Sequence, residues 1–256
     1  MSLFISSVFT YDEDAGNYIQ AVETADAQAL EPATRKAINN FVIGCKQDGI
    51  WTAIKASCIL SGARTLAGAL QPLAGTAPTN NGFIGIGTDY VRKTGLVGNG
   101  STKYLNSNRN NNADPQNSKH ISVYVTQQQS TSAVFMGTAT SLNSPGDCYM
   151  YTAPTNTTSR LNGSSVFGLA SKVTSGLAGL SRSQSSNYSA RFNGIGYTTG
   201  TDTSQTPLSE NIHVFKGGSQ YANPRLAFYS IGEAIDLALL DARVADLINA
   251  FAVTIP

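Results

Sequence analysis

His120 and His213 are the only histidines in a chain of 256 residues, and histidine is the side chain best suited to proton transfer near neutral pH. Each lies in a strand-like run, SKHISVYV and ENIHVFKG. A serine–histidine–acid relay would set its nucleophile on a sharp strand-to-helix turn, and no GxSxG pattern surrounds any serine. Both histidines therefore read as ordinary strand positions. Glycoside hydrolysis would need two carboxylates about 5–10 Å apart. The acids of residues 76–232 are Asp89, Asp114, Asp147, Asp202 and Glu210, widely spaced and mostly beside turn residues. There aspartate usually serves nearby backbone groups. No DxDxDG-like loop for calcium occurs. Cys45, Cys58 and Cys148 lack CxxC spacing and read as free, buried thiols. The glycines at 85 and 87 and those of residues 95–100 show neither GxxxxGK[ST] spacing nor a following helix, so they read as hairpin turns. The expectation is a protein without catalytic residues, cofactor or metal.

Recognition is the remaining chemistry. The segment Asn106 to Ser118 (NSNRNNNADPQNS) is a polar excursion between two strands, too hydrophilic for a core. It reads first as a solvated loop. Its asparagines and arginine also suit hydrogen bonding to sugar hydroxyls, and a nearby tyrosine can stack on a pyranose face. Tyr104, Asn106, Asn108 and Arg109 are accordingly the candidate residues for a glycan or partner surface.

The elements that must carry these residues change character along the chain. Residues 1–50 hold ten charged side chains, whereas residues 121–220 hold eight in twice the length. The first region reads as helical and the second as strands and turns. Asp12, Glu13 and Asp14 can start a helix carrying Tyr18, Ile19 and Val22. A second helix opens at Leu30-Glu31-Pro32, with a stripe of Ile38, Phe41, Val42 and Cys45, and ends near Asp48-Gly49. Residues 51–60 read as a strand or buried link, followed by a short helix over Leu66 to Leu73. Strands are expected at 83–87, 90–97, 102–107, 119–126, 132–139, 147–153, 157–161, 165–170, 176–182, 187–193, 210–216 and 224–231, with turn signals between them.

The chain closes on an amphipathic helix from Asp236, with Leu237, Leu240, Val244, Leu247 and Phe251 on one face. They fit a/d positions for just over two heptads. That pattern suits packing on the chain's own sandwich or a trimeric seam. The apolar start, with Phe4, Ile5, Val8 and Phe9, reads as an edge strand or as an arm docked on a neighbour. Both ends are thus candidate oligomer interfaces, and a homo-oligomer, with a trimer favoured, is expected. The division expected is an arm at 1–14, a helical preface at 15–75, an antiparallel, mainly β sandwich at 76–232, and the C-terminal helix at 233–256.

Charged residues make up 13% of the chain and the net charge is +1, so nothing here attracts nucleic acid or anionic lipid. No apolar run reaches the length of a membrane span, and the first 30 residues lack the order of a signal peptide. These features suit a soluble protein made in a cytoplasm.

Several stretches together, KQDGIW, AIKASCILSGARTLAGALQPL, TGLVGNGSTKYLNSN, QNSKHISVYV, LSRSQSSNYSAR and RLAFYSIGEAIDLALLDARV, resemble a family of tailed-bacteriophage virion proteins of tail or fibre type. The resemblance implies a lectin-like (LamG/concanavalin-type) jelly roll, residence on a virus particle, other virion proteins as partners, and adhesion to a host-surface glycan or particle stabilisation as the role. It carries across no catalytic residue. The chain has no repetitive fibre shaft, so a short appendage, an adaptor and a decoration or cement protein of the head or neck all stay open. A free carbohydrate-binding or glycan-degrading protein is the reading from a different class.

Overall fold

The computed structural model describes residues 10–85, 87–128, 132–140 and 142–256. Phe4, Ile5, Val8 and Phe9, and with them the expected arm, lie outside the described residues.

The chain begins with helices α1 (Glu13–Asp26) and α2 (Pro32–Gln47), then strand β1 (Ile54–Ile59) and the short helix α3 (Leu66–Ala69). Asp12 caps α1 by accepting from the Asp14 N–H, and Glu13 and Asp14 sit in its first turn, where negative charge offsets the unpaired amides. Pro32 opens α2, and Ile38, Phe41, Val42 and Cys45 are all buried, as their spacing predicts. A run of strands follows: β2 (Thr79–Asn81), β3 (Tyr90–Val91), β4 (Gly95–Val97), β5 (Tyr104–Asn110), β6 (Lys119–Gln127), β7 (Ala133–Thr138), β8 (Cys148–Thr152) and β9 (Thr157–Leu161). It continues through β10 (Phe167–Leu169), β11 (Gly176–Arg182), β12 (Ser189–Phe192), β13 (Ile195–Thr198) and β14 (Asn211–Val214). The last strands are β15 (Lys216–Gly217), β16 (Gln220–Tyr221) and β17 (Arg225–Gly232), and helix α4 (Leu237–Thr254) closes the fold.

Two antiparallel sheets stack into a sandwich. The first runs β13-β12-β11-β6-β17-β4-β3, with β1 also paired to β17, and the second runs β10-β9-β8-β7-β14-β5-β2. Strand β1 falls inside the stretch expected as a helical preface, so preface and sandwich share one hydrogen-bonded sheet. The first sheet is covered on its outer face as well as its inner one. Helix α4 lies on β11 and β12 and against α2. The Phe41 ring meets Phe228 edge-on at 5.8 Å, and Arg191 of β12 pairs with Asp241 of α4 at 2.7 Å. Strand β17 is consequently buried at nearly every residue, which is how a strand covered on both faces must read.

Leu237, Leu240, Val244, Leu247 and Phe251, named above as candidate interface residues, are buried within this one chain. The apolar face of α4 is spent on its own α2 and first sheet.

Of the strand expected at 83–87, the described residues 83–85 and 87 are not in a strand. Gly85 sits at φ +136°, and its carbonyl accepts from the amides of Thr88, Asp89 and Tyr90, in a turn that leads into β3. Residues 90–97 form a tight hairpin, β3 to β4, closed by the Thr94 N–H on the Val91 carbonyl at 3.1 Å. The start of the expected polar loop is strand: β5 runs on to Asn110, three residues past the expected end at 107, and a single turn of 3₁₀ helix, Asn111–Ala113, follows.

Candidate recognition site on the second sheet

The second sheet differs from the first in what covers it. Among the described residues, no helix packs broadly on β5, β7, β8, β9 or β14. Alternation along β5 and β14 decides which side chains reach that outer face. Leu105, Ser107, Ile212 and Val214 are buried, and the Ser107 hydroxyl donates to the Ile212 carbonyl at 2.6 Å. Tyr104 and Asn106 therefore point outward, and His213, register partner of Asn106, stands beside them.

A short hairpin then folds over this face. Strand β14 stops at Val214 because Phe215 takes φ +68°, a left-handed conformation that a bulky side chain rarely adopts. Three contacts hold it there. Its ring packs on Phe83 at 5.2 Å, its N–H donates to the Phe135 carbonyl at 2.7 Å, and its carbonyl accepts from the Ala222 N–H at 2.8 Å. The redirected chain forms β15 and β16, in which Lys216 faces Tyr221 across the Gly218-Ser219 turn. The hairpin lies on β7: a Cβ added to Gly217 would stand 2.6 Å from Val134 Cγ1.

These two levels bring one cluster together. The Tyr104 ring lies 4.7 Å from the His213 ring and 6.0 Å from the Tyr221 ring. The Lys216 ammonium sits 5.2 Å from the Tyr104 ring centre and 5.6 Å from that of Tyr221. It donates to the Ala139 carbonyl at 3.0 Å, which uses one of its three protons. His213 is 7% exposed, and its Nδ1 is buried without a hydrogen-bond partner. Burial, and then the neighbouring Lys216 charge, pull its pKa down to about 4, so the imidazole is neutral at pH 7. Burial also lowers the pKa of Lys216, while Glu210 works in the opposite direction. The result is a half-buried floor of aromatic rings with a single cation above it, suited to stacking a flat apolar face and hydrogen-bonding a polar edge.

The four sequence candidates separate here. Tyr104 belongs to the cluster, and Asn106 is next to it, with Oδ1 accepting from the Asn108 N–H at 3.0 Å. Asn108 and Arg109 do not join it. The Asn108 amide donates to the Ala77 carbonyl at 2.9 Å and the Thr79 hydroxyl at 3.1 Å, fastening edge strand β2. The Arg109 guanidinium is engaged in a two-pronged pair with the fully buried Asp114 carboxylate. Both serve the scaffold. Lys216, Tyr221 and the role of His213 were missed in the sequence, although Gly218-Ser219 between Gly217 and Gln220 is a two-residue turn signal.

The five acids of the β region each have a structural partner. Asp89 holds Lys103 at 2.6 Å and the Ile84 N–H. Asp114 holds Arg109 and stands 3.7 Å from Lys119. Asp147 meets Arg160 at 3.2 Å, Asp202 meets Arg182 at 2.7 Å, and Glu210 accepts from the Thr140 hydroxyl at 2.6 Å. His120 is sealed in the interior between the Ser230 hydroxyl at 2.7 Å and the Glu233 carbonyl at 2.5 Å.

No protein-family model and no curated protein matches the chain. Solved structures with a similar fold include the receptor-binding domain of botulinum neurotoxin C/D mosaic serotype, at TM-score 0.53 and 11% identity over 76% of this chain and 51% of that one. The binding domain of botulinum neurotoxin DC, solved in complex with SialylT, is similar at TM-score 0.50 and 13% identity, over 78% and 52%. The Trypanosoma rangeli sialidase is similar at TM-score 0.50 and 10% identity, over 77% and 33%. The chain thus spans about half the length of the two toxin domains and a third of the sialidase. At such identities the likeness is one of fold: the chain is a mainly antiparallel β-sandwich of the lectin-like, jelly-roll kind, with helices at both ends.

Proposed function

We propose that the chain is a non-enzymatic carbohydrate-binding module whose glycan lies on the helix-free outer face of the second sheet, beside the β15–β16 hairpin. The observation that carries this reading is the cluster of Tyr104, His213, Lys216 and Tyr221, assembled on that face by a strained Phe215. Two solved structures of the same fold lend support, one a domain in complex with SialylT and the other a sialidase. The absence of catalysis is supported by the carboxylates above, each tied to a cation, amide or hydroxyl. The setting we infer is a bacteriophage particle, where such a module would serve adhesion to the host. That setting rests on the sequence resemblance, and an antibody to the chain should decorate purified virions.

A glycan array probed with the full chain tests the reading. Binding to a subset of oligosaccharides is expected, and Tyr104→Ala should weaken it at least tenfold with little change in melting temperature. If the chain binds no oligosaccharide, or Tyr104→Ala binds as well as the parent, the proposal fails.

A further inference from the structure

We infer that the glycan is a singly charged, carboxylate-bearing sugar, with the carboxylate held at Lys216 and a pyranose face laid on the tyrosines. This deepens the proposed function and rests on it.

Two features of the cluster point to an anion, and a third to a polar ligand beside it. Among the described residues, Lys216 Nζ spends one proton on Ala139 and has no carboxylate in hydrogen-bond contact, whereas most other lysines and arginines near acids are paired. A cation held over two aromatic rings and half-buried is already partly stripped of water, so an arriving carboxylate displaces little hydration. Beside it lies the unpartnered Nδ1 of a residue that is more than nine-tenths buried, a polar group that a ligand hydroxyl or a water would satisfy.

The same residues limit the charge. His213 is neutral, Glu210 contributes a negative charge nearby, and Lys216 is the one cation of the cluster. A dense polyanion would find too little positive charge here, and a monoanionic sugar finds one matched partner. The tyrosine rings supply the other half of recognition, since the apolar face of a pyranose stacks on an aromatic ring while its charged group reaches outward.

The test uses matched oligosaccharides that share one neutral core: sialyllactose, its methyl ester, sulfolactose and lactose, with a glucuronate-terminated set prepared the same way. Each is titrated against the full chain by calorimetry. The acid of at least one set should bind roughly tenfold tighter than its ester, the size of one charge-assisted hydrogen bond. Lys216→Gln should bring the acid down to the level of the ester, and Lys216→Arg should keep most of the preference. Melting temperatures of both variants report that they are folded. Equal binding of acid and ester, or an acid preference that survives Lys216→Gln, overturns the carboxylate assignment and leaves the glycan reading standing. A sulfated ligand preferred over the carboxylated one overturns it too. If no sugar of any kind binds, the glycan reading itself has failed.

Discussion

At the scale of single residues, the molecule buries many groups that would ordinarily seek water, and it pairs most of them. Arg182 is completely enclosed. Its Nε donates to the Leu161 carbonyl at 2.8 Å, its Nη1 to the Asp202 carbonyl at 3.1 Å and its Nη2 to the Asp202 carboxylate at 2.7 Å, with the Tyr188 ring 5.3 Å away. One guanidinium thus ties β9 to the turns on either side of β12 and β13. The histidines are buried differently, as neutral rings. Desolvation lowers the pKa of both His120 and His213 to about 4. An unfolded chain takes up these two protons below about pH 6.5, whereas the folded chain takes them up only near pH 4. Stability contributed by the neutral rings is therefore complete above pH 6.5 and lost as the pH falls toward 4. The loss is on the order of 3 kcal/mol for the fully enclosed His120 and smaller for His213, which keeps some contact with solvent. Asp147, raised to about 6 by burial, works against this loss over part of the same window. With two histidines against one aspartate, the net expectation is a urea midpoint that drops between pH 7 and pH 4. A midpoint that stays level or rises on acidification would contradict it.

At the scale of elements, α4 is the clearest test of what the helices do. Phe251 is fully buried, and its ring packs so closely on Gly62 that a Cβ there would lie 2.6 Å away, at a backbone φ of +86° that itself favours glycine. Phe251→Ala should cost about 3–5 kcal/mol in urea unfolding. It should leave the mass measured by light scattering unchanged, because the side chain faces its own subunit. A change of mass at constant stability would instead make α4 a seam between copies. The helices were legible in the sequence since their apolar stripes have a period no strand shares, and Asp12, Pro32 and Asp236 mark their starts. Strand β13 was not recognised, although Asn193-Gly194, both at positive φ, make the turn that pairs Phe192 with Ile195. Its residues Ile195-Gly196-Tyr197-Thr198 are exposed or half-buried, so no core pattern announced it. Strand β2, three polar residues on an edge, carries no hydrophobic signal at all.

At the scale of the whole molecule, the arrangement is asymmetric: helices seal one sheet, while the other is left to a hairpin, loops and solvent. The sequence predicted a sandwich with helices at both ends, because alternation, turn residues and helical stripes are local signals. The site was legible only in part. Tyr104 and Asn106 lie on β5, while His213, Lys216 and Tyr221 lie more than a hundred positions later, and they meet only through the β5–β14 register and the kink at Phe215. Neither is readable from spacing along the chain. Asn108 and Arg109 were drawn in by proximity in sequence, yet one fastens an edge strand and the other neutralises a buried acid. The central claim, that a glycan lies on the helix-free outer face of the second sheet beside the β15–β16 hairpin, is tested most directly by a nitrogen-15 NMR titration of the labelled full chain with its tightest-binding oligosaccharide. The account predicts that the amide shifts concentrate at Tyr104, Asn106, His213, Lys216 and Tyr221. Shifts gathered instead in the cleft of about 340 Å³ between β12, β13 and the start of α4, lined by Arg191, Tyr197 and Leu237, or no shifts at saturating sugar, would contradict it.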